Sequence, residues 1–335
     1  MKKASAQAHP NIAFIKYWGL DNEKTRIPAN DSISMNIGSL ATRTTVTFDP
    51  SLNQDEFILN KTRITGKSLI RTQQFMDRIR RIAGVSIFAR IESVNDFPTG
   101  AGVASSASGF AALAMAAAGA LGLDLSAREL SGLARFGSGS ACRSIPGGFV
   151  EWHTDPESGE SFAESIAPAD HWQLVDCIAI LSEGHKTVGS QDGMQVANTS
   201  PFQKARVMGS KQRLEICRSA ILNRDFDTLA QITELDSNMM HAVMMTSDPP
   251  LFYWEPQSLA IMKAVKNWQK DGLQVTYTLD AGPNVHVICT PDALDKVLAR
   301  LHNFPGVIDV LHGSPGGPAR LIPNPGQENP QADIN

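Results

Sequence analysis

Pro98, Thr99, Gly100, Ala101, Gly102, Val103, Ala104, Ser105 and Ser106 form a run of glycines and hydroxyls that leads into the small-residue segment 110–121. Gly100 and Gly102 carry no Cβ, so the backbone there can approach a ligand closely. Ser105, Ser106 and the first free amides of the following helix offer donors to an anion. The chemistry that suits such a run is triphosphate binding. The same residues can also serve tight packing of a helix on a sheet. No Gly-Lys-Ser or Gly-Lys-Thr follows, and the glycine spacing and acidic residue of a dinucleotide fingerprint are missing.

Three more segments put a reactive group in an apolar frame. Lys16 lies in Asn11-Ile12-Ala13-Phe14-Ile15-Lys16-Tyr17-Trp18-Gly19, a run too hydrophobic for a solvated face. A buried lysine needs an anionic partner or a depressed pKa, unless it snorkels from a strand end. Arg143 closes Gly137-Ser138-Gly139-Ser140-Ala141-Cys142-Arg143. Its guanidinium can grip a carboxylate or phosphate with two parallel bonds, or sit on the surface after a turn. Asp280 ends an apolar strand before Ala281-Gly282-Pro283-Asn284, where it either acts on a ligand or caps its own turn.

These groups have to be held by both sheets and helices. Strands are expected at 44–49, 57–59 and 87–93, with an amphipathic helix at 67–83. Ser126 and Glu129 have the spacing of a capping box. Apolar runs at 149–152 and 174–181 read as buried strands, and the polar segment 182–198 reads as a linker or mobile loop that marks a domain boundary. Helices follow at 201–222 and 226–244, and another begins with Pro256 in its first turn. Strands 274–279 and 285–289 flank the Asp280 turn as a hairpin. Pro291 opens the last helix, 306–311 is the last strand, and disorder is expected beyond about residue 325.

At 335 residues the chain is long enough for two domains. With 30 basic and 34 acidic residues its net charge is -4, which argues against a nucleic-acid partner or an anionic membrane surface. Cys142, Cys177, Cys217 and Cys289 are too far apart for a zinc motif, so they are expected to be reduced thiols in a cytoplasmic protein. The start lacks the apolar stretch of a secretory leader, and no window reaches a spanning length.

Taken together, the segments resemble the diphosphomevalonate decarboxylases of the GHMP kinase superfamily over nearly the whole chain. The matching blocks are Asn11-Ile12-Ala13 with Lys16 to Gly19, Pro98-Thr99 with Gly102 to Ser106, Gly137 to Ser144 with Gly147-Gly148-Phe149-Val150-Glu151-Trp152, and Asp280 to Asn284. The resemblance implies an α+β fold. A ribosomal protein S5 domain 2-like N-terminal domain would cover 1–183 and bind ATP, a ferredoxin-like domain would cover 184–323, and 324–335 would be a disordered tail. It also implies an active site in the cleft between the domains, a left-handed crossover, and homodimers.

The implied reaction is ATP-dependent decarboxylation of a phosphorylated mevalonate: the 3-hydroxyl is phosphorylated, then phosphate and carbon dioxide leave an alkene. Asp280 would orient or deprotonate the hydroxyl. Lys16 would stabilise charge beside Asp280, which stays ionised next to a cation, and Arg143 would hold the substrate carboxylate. Tyr17, Ser138, Ser140, Ser190 and Gln191 would line the substrate. Pro98, Gly100, Gly102, Val103, Ala104, Ser105, Ser106 and Ser93 would bind ATP. Ser105 would also face Mg²⁺, which is held mainly by the ATP phosphates. The segment 182–198 is expected to close over the substrate.

Two positions depart from the family pattern. Leu20 stands where a second lysine normally follows the Lys-Tyr-Trp-Gly block, and Gln191 stands where an arginine is usual. Both missing cations belong near the substrate diphosphate. A monoester carries roughly -1.5 to -2 charges, fewer than a diphosphate, and so needs fewer cations. The expectation is therefore that mevalonate 5-phosphate is converted to isopentenyl phosphate. The alternative is an ordinary diphosphate enzyme in which Lys186, Lys204 or Arg206 compensates. A mevalonate 3-kinase and a nucleotide-responsive binding protein are more distant readings.

Overall fold

The computed structural model describes residues 2–22, 25–97, 105–155, 157–182, 184 and 188–324. Its helices are α1 (Gly66–Ala83), α2 (Ser105–Leu121), α3 (Ala127–Gly137), α4 (Ser190–Gln195), α5 (Gln203–Met208), α6 (Ser210–Asn223), α7 (Phe226–Met245), α8 (Pro256–Lys270) and α9 (Leu294–His302). Ser126 and Glu129 form the expected capping box before α3, with the Ser126 amide donating to Glu129 at 2.8 Å. The single helix expected at 201–222 is two, α5 and α6, divided at Gly209.

Three main sheets organise the chain, in an α+β arrangement. The first is six-stranded, in the order Arg320–Ile322, Lys2–Ala8, Thr42–Phe48, Ala89–Asn95, Glu56–Leu59 and Thr62–Arg63. Its pairs are antiparallel except for Glu56–Leu59 beside Ala89–Asn95. Alanines 111, 112, 114, 116, 117 and 118 of α2 are buried, and their small side chains let this helix lie close on the sheet. The second sheet has the order Ser161–Ala167, Phe149–Thr154, Ser32–Asn36, Asn11–Ile15. Its apolar residues share one core with Leu214 and Ile221 of α6 and Leu229 of α7.

The third sheet is fully antiparallel, in the order Val275–Thr278, Val285–Cys289, Val175–Ile180, Asp309–Gly313. Numbered along the chain, its strands stand 2-3-1-4, which is ferredoxin-like topology. The expected hairpin around Asp280 is there. Strand Val175–Ile180 lies on the N-terminal side of the expected 183/184 boundary, so that boundary and sheet membership do not coincide. The strand expected at 306–311 begins at Asp309, three residues later, and it is not the last, because the short strand Arg320–Ile322 follows it and pairs with Lys2–Ala8; residues beyond 324 lie outside the described ones.

Helix α7 settles the geometry of the site. It packs on strand Asn11–Ile15 of the second sheet and on strand Val275–Thr278 of the third. Lys16 and Asp280 come just after the ends of those two strands, so one helix backs both.

Candidate active site

A cavity of about 690 Å³ opens where these strand ends meet the N-terminus of α2, the 3₁₀ turn Gly139–Ser144 and α4. Strand Asn11–Ile15 is buried throughout, which carries Lys16 into the interior at 1% exposure. Its Nζ meets Asp280 Oδ1 at 2.7 Å, and Asp280 is one-third exposed toward the cavity. Burial draws the Lys16 ammonium below the ordinary lysine range. Asp280 and, less strongly, Asp236 work against that, while nearby Arg143 adds to it.

The main chain of Lys16 is gripped on both sides. Its N–H donates to Asp236 Oδ2 at 2.6 Å, and its carbonyl accepts from Arg206 Nη2 at 2.6 Å and from Asn30 Nδ2 at 2.9 Å. Asp236 is in turn held by Arg213 Nε at 2.6 Å. Beside Asp280, the Leu279 N–H donates to Ser237 Oγ at 3.0 Å. Asp236 and Ser237 are neighbours on α7. The helix therefore anchors the lysine through one residue and the aspartate turn through the next.

Arg143 is buried, and polar groups hold its inner edge. Nη1 donates to Ser32 Oγ at 2.6 Å, Nε to Ser34 Oγ at 3.1 Å and Nη2 to Asn11 Oδ1 at 3.2 Å. A guanidinium has five N–H groups, so one on each terminal nitrogen is left for the cavity that Arg143 lines. That fork fits a carboxylate. The Tyr17 ring packs edge-on to Trp152 at 4.6 Å and lies so close to Gly139 that a Cβ there would sit 2.6 Å from the ring. Burial pushes the Tyr17 phenol up, so it stays protonated.

The structure brings Lys16, Tyr17, Ser105, Ser106, Ser138, Ser140, Arg143, Ser190, Gln191 and Asp280 to this one cavity. Ser106 Oγ and Ser138 Oγ are 3.2 Å apart, which links the N-terminus of α2 to the Arg143 turn. Ser93 is not brought there. It is buried in its strand, with its hydroxyl 2.8 Å from Thr44 Oγ1. Pro98, Gly100, Gly102, Val103 and Ala104 lie outside the described residues. Within 182–198, the described part includes the short helix α4, whose first residues border the cavity.

Of the three cations suggested as compensation, Arg206 is committed to Lys16 and Asn30, Lys204 is exposed away from the cavity, and Lys186 is outside the described residues. Sequence reasoning missed Arg26, Lys67 and Arg71, which line the cavity, and Asp236, Arg213 and Asn30, which frame Lys16. Single arginines on a turn or an exposed helix carry no pattern. Asp236 had a readable sign: a carboxylate within the apolar face of a helix needs a partner.

Among the described residues no three His, Cys, Asp or Glu side chains cluster to hold a metal, all four cysteines are free and buried, and no helix is long and apolar enough to cross a membrane.

Comparison with known proteins gives consistent results. A profile described as diphosphomevalonate decarboxylase-like N-terminal domain matches residues 8–163, and one described as mevalonate 5-diphosphate decarboxylase C-terminal domain matches residues 177–313. The chain is 38% identical to the diphosphomevalonate decarboxylase of Candida albicans, over 91% of this chain and 89% of that one. It is 32% identical to the phosphomevalonate decarboxylase of Haloferax volcanii, over 96% and 98%. A solved structure of MDDEF in complex with MVAPP, AMPPCP and magnesium superposes with a TM-score of 0.90 at 39% identity, covering 96% of this chain and 99% of that one.

Proposed function

The chain belongs to the diphosphomevalonate decarboxylase family, and from that premise we propose that it is an ATP-dependent decarboxylase of a 5-phosphorylated mevalonate, with the diphosphate as substrate. The observation that carries this reading is the Lys16–Asp280 pair at 2.7 Å on a cavity that also receives the open fork of Arg143. The diphosphate is supported by the names of most relatives and by the MVAPP bound in the solved one.

In this reading the substrate carboxylate lies on the two free N–H groups of Arg143, which leaves the 3-hydroxyl to Asp280. Asp280 accepts the hydroxyl proton as the oxygen bonds to the γ-phosphorus of ATP and the bond to ADP breaks. Lys16 offsets the negative charge gathered there. The C3–O bond then breaks and phosphate leaves. The electron pair of the bond to the carboxylate carbon becomes the new C=C bond as carbon dioxide departs.

The solved relative's AMPPCP, an ATP analogue, and its magnesium support ATP and Mg²⁺ as the partners of this reaction. The residues present suit a metal that arrives with the nucleotide: Ser105 and Ser106 offer hydroxyls at the N-terminus of α2, and no carboxylate cluster among the described residues would bind a bare ion. Ser105 and the triphosphate oxygens would hold it, and it would neutralise triphosphate charge. Pairing of two copies belongs to the same proposal, and light scattering measures it directly.

A second reading, the monophosphate, is favoured by one observation: Leu20 and Gln191 both line the cavity and place no cation there. The Haloferax volcanii relative supports it. The test is carbon dioxide release from carboxyl-labelled mevalonate 5-phosphate and 5-diphosphate, side by side with ATP and Mg²⁺. Faster release from the diphosphate is expected. Release from the monophosphate alone establishes the second reading, and ADP without carbon dioxide overturns both.

A further inference from the structure

The loop 279–284 joins strands Val275–Thr278 and Val285–Cys289, whose last pair before the loop is Thr278 with His286. Connecting loops normally run over the surface, but Leu279, Ala281 and Asn284 of this one are buried. Its main-chain polar groups therefore need partners inside the protein. One bond closes the turn on itself, the Gly282 N–H donating to the Asp280 carbonyl at 2.8 Å. Ser237 holds the Leu279 amide just before Asp280. Two further anchors lie just after it.

The first is Ser258, fully buried in the first turn of α8. Its Oγ donates to the Pro283 carbonyl at 2.5 Å and accepts from the Glu255 N–H at 3.1 Å. The second is Asn284, 3% exposed, which reaches the chain where it leaves strand Val175–Ile180. Its Oδ1 accepts from the N–H groups of Leu181 at 2.7 Å and Ser182 at 3.2 Å, and its Nδ2 donates to the Ser182 carbonyl at 3.3 Å. Regular pairing of that strand with Val285–Cys289 ends at Ala179 and Val285. A carboxamide offers an acceptor and a donor, as a peptide unit does. The Asn284 side chain thus extends the ladder past the point where its own main chain turns toward Asp280.

We propose that Ser258 and Asn284 are positioning residues for Asp280 and that, with Ser237, they aim its carboxylate into the cavity. The three buried side chains tie the loop to three separate places: α7, the start of α8 and the exit of strand Val175–Ile180. This inference rests on the proposed function, in which Asp280 accepts the proton of the 3-hydroxyl. A proton acceptor works only within hydrogen-bond reach, and a displacement of about 1 Å can cost about 10²-fold in rate. Neither Ser258 nor Asn284 is among the residues that line the cavity, so their loss falls on the rate and not on binding.

The test is steady-state carbon dioxide release by the full-length protein and its variants, with AMPPCP affinity by calorimetry and melting temperature measured alongside. Asn284→Ala is expected to lower kcat about 10–100-fold, with ester KM and AMPPCP affinity within about twofold of the unaltered protein. Asn284→Asp keeps an acceptor for both amides and should recover most of the rate. Ser258→Ala should lower kcat in the same sense, and Ser258→Thr, which keeps the hydroxyl, should restore it. A purely structural role would lower the melting temperature and leave kcat per folded molecule unchanged, which overturns the proposal. A rise in KM at unchanged kcat, or a rate in Asn284→Asp as low as in Asn284→Ala, overturns it too. Should Asn284→Ala not fold, full kcat in Ser258→Ala is the overturning result. Failure of the proposed function is read separately, as absence of carbon dioxide from either ester with the unaltered protein.

Discussion

Lys16 is held by a carboxylate at each end: its amide donates to Asp236 at 2.6 Å and its ammonium meets Asp280 at 2.7 Å. Asp236 is fully buried and is the counter-charge of Arg213 at 2.6 Å and Arg206 at 3.7 Å. Removing one partner of a buried pair leaves the other uncompensated, at a cost of about 3–5 kcal/mol. Asp236→Ala should lower stability by that order in urea unfolding. Asp236→Asn, which keeps an acceptor for the Lys16 amide, should fold more readily but lose kcat with little change in KM. An unchanged kcat in a folded Asp236→Asn protein would mean that this contact does not position the lysine.

Asp280→Asn keeps the shape of the turn and removes the group that the proposed reaction uses as proton acceptor. Turnover should fall by about 10²–10⁴, the usual worth of a placed acid or base. AMPPCP affinity should be nearly intact by calorimetry, and retained activity would take Asp280 out of the proton transfer.

His241 on α7 adds a pH dependence to stability. Its ring lies 4.8 Å from that of Trp254, and its Nε2 is buried without a hydrogen-bond partner. Burial, reinforced by the Lys16 charge, lowers its pKa to about 3, against the pull of backbone groups at Leu279 and Asp280 and of the Asp280 charge. The unfolded chain takes up the proton near pH 6.5 and the folded one only near 3, so stability falls as pH drops through that window. The loss at pH 5 is about 2 kcal/mol. Melting curves from pH 7 to 5 should show this slope, and it should flatten in His241→Phe; an equal slope in both proteins would assign it to other groups.

Leu20→Lys combined with Gln191→Arg restores two cations to the cavity wall. The ratio of kcat/KM for the diphosphate to that for the monophosphate should rise, because added positive charge favours the more highly charged ester. No change in the ratio would mean that neither side chain reads the phosphate.

The chemistry was readable where a single residue type admits few explanations. A lysine in an unbroken apolar run, an arginine among small hydroxylated residues and an aspartate before Ala-Gly-Pro all arrived at one cavity. The framework was less readable. Strand Lys2–Ala8, a central member of the first sheet, is made of lysines, alanines, Ser5 and Gln7, and its short side chains show no alternation. Strand Ser32–Asn36 is buried on both faces, so its serines face Arg143 instead of water. The split between α5 and α6 rests on one glycine inside a helical pattern. Arg26 and Arg71 are far apart in the chain, and only the fold shows that both line the cavity.

A single helix braces the roots of Lys16 and Asp280, so the two side chains that the proposed reaction uses share one support. The residues that would meet the ester's far end in the proposed function, Leu20 and Gln191, sit instead on a short ribbon and on the six-residue helix α4. Under the proposed function, substitutions there should retune which ester is accepted and leave the Lys16–Asp280 pair in place. A lineage could change its diet at this site and keep its teeth.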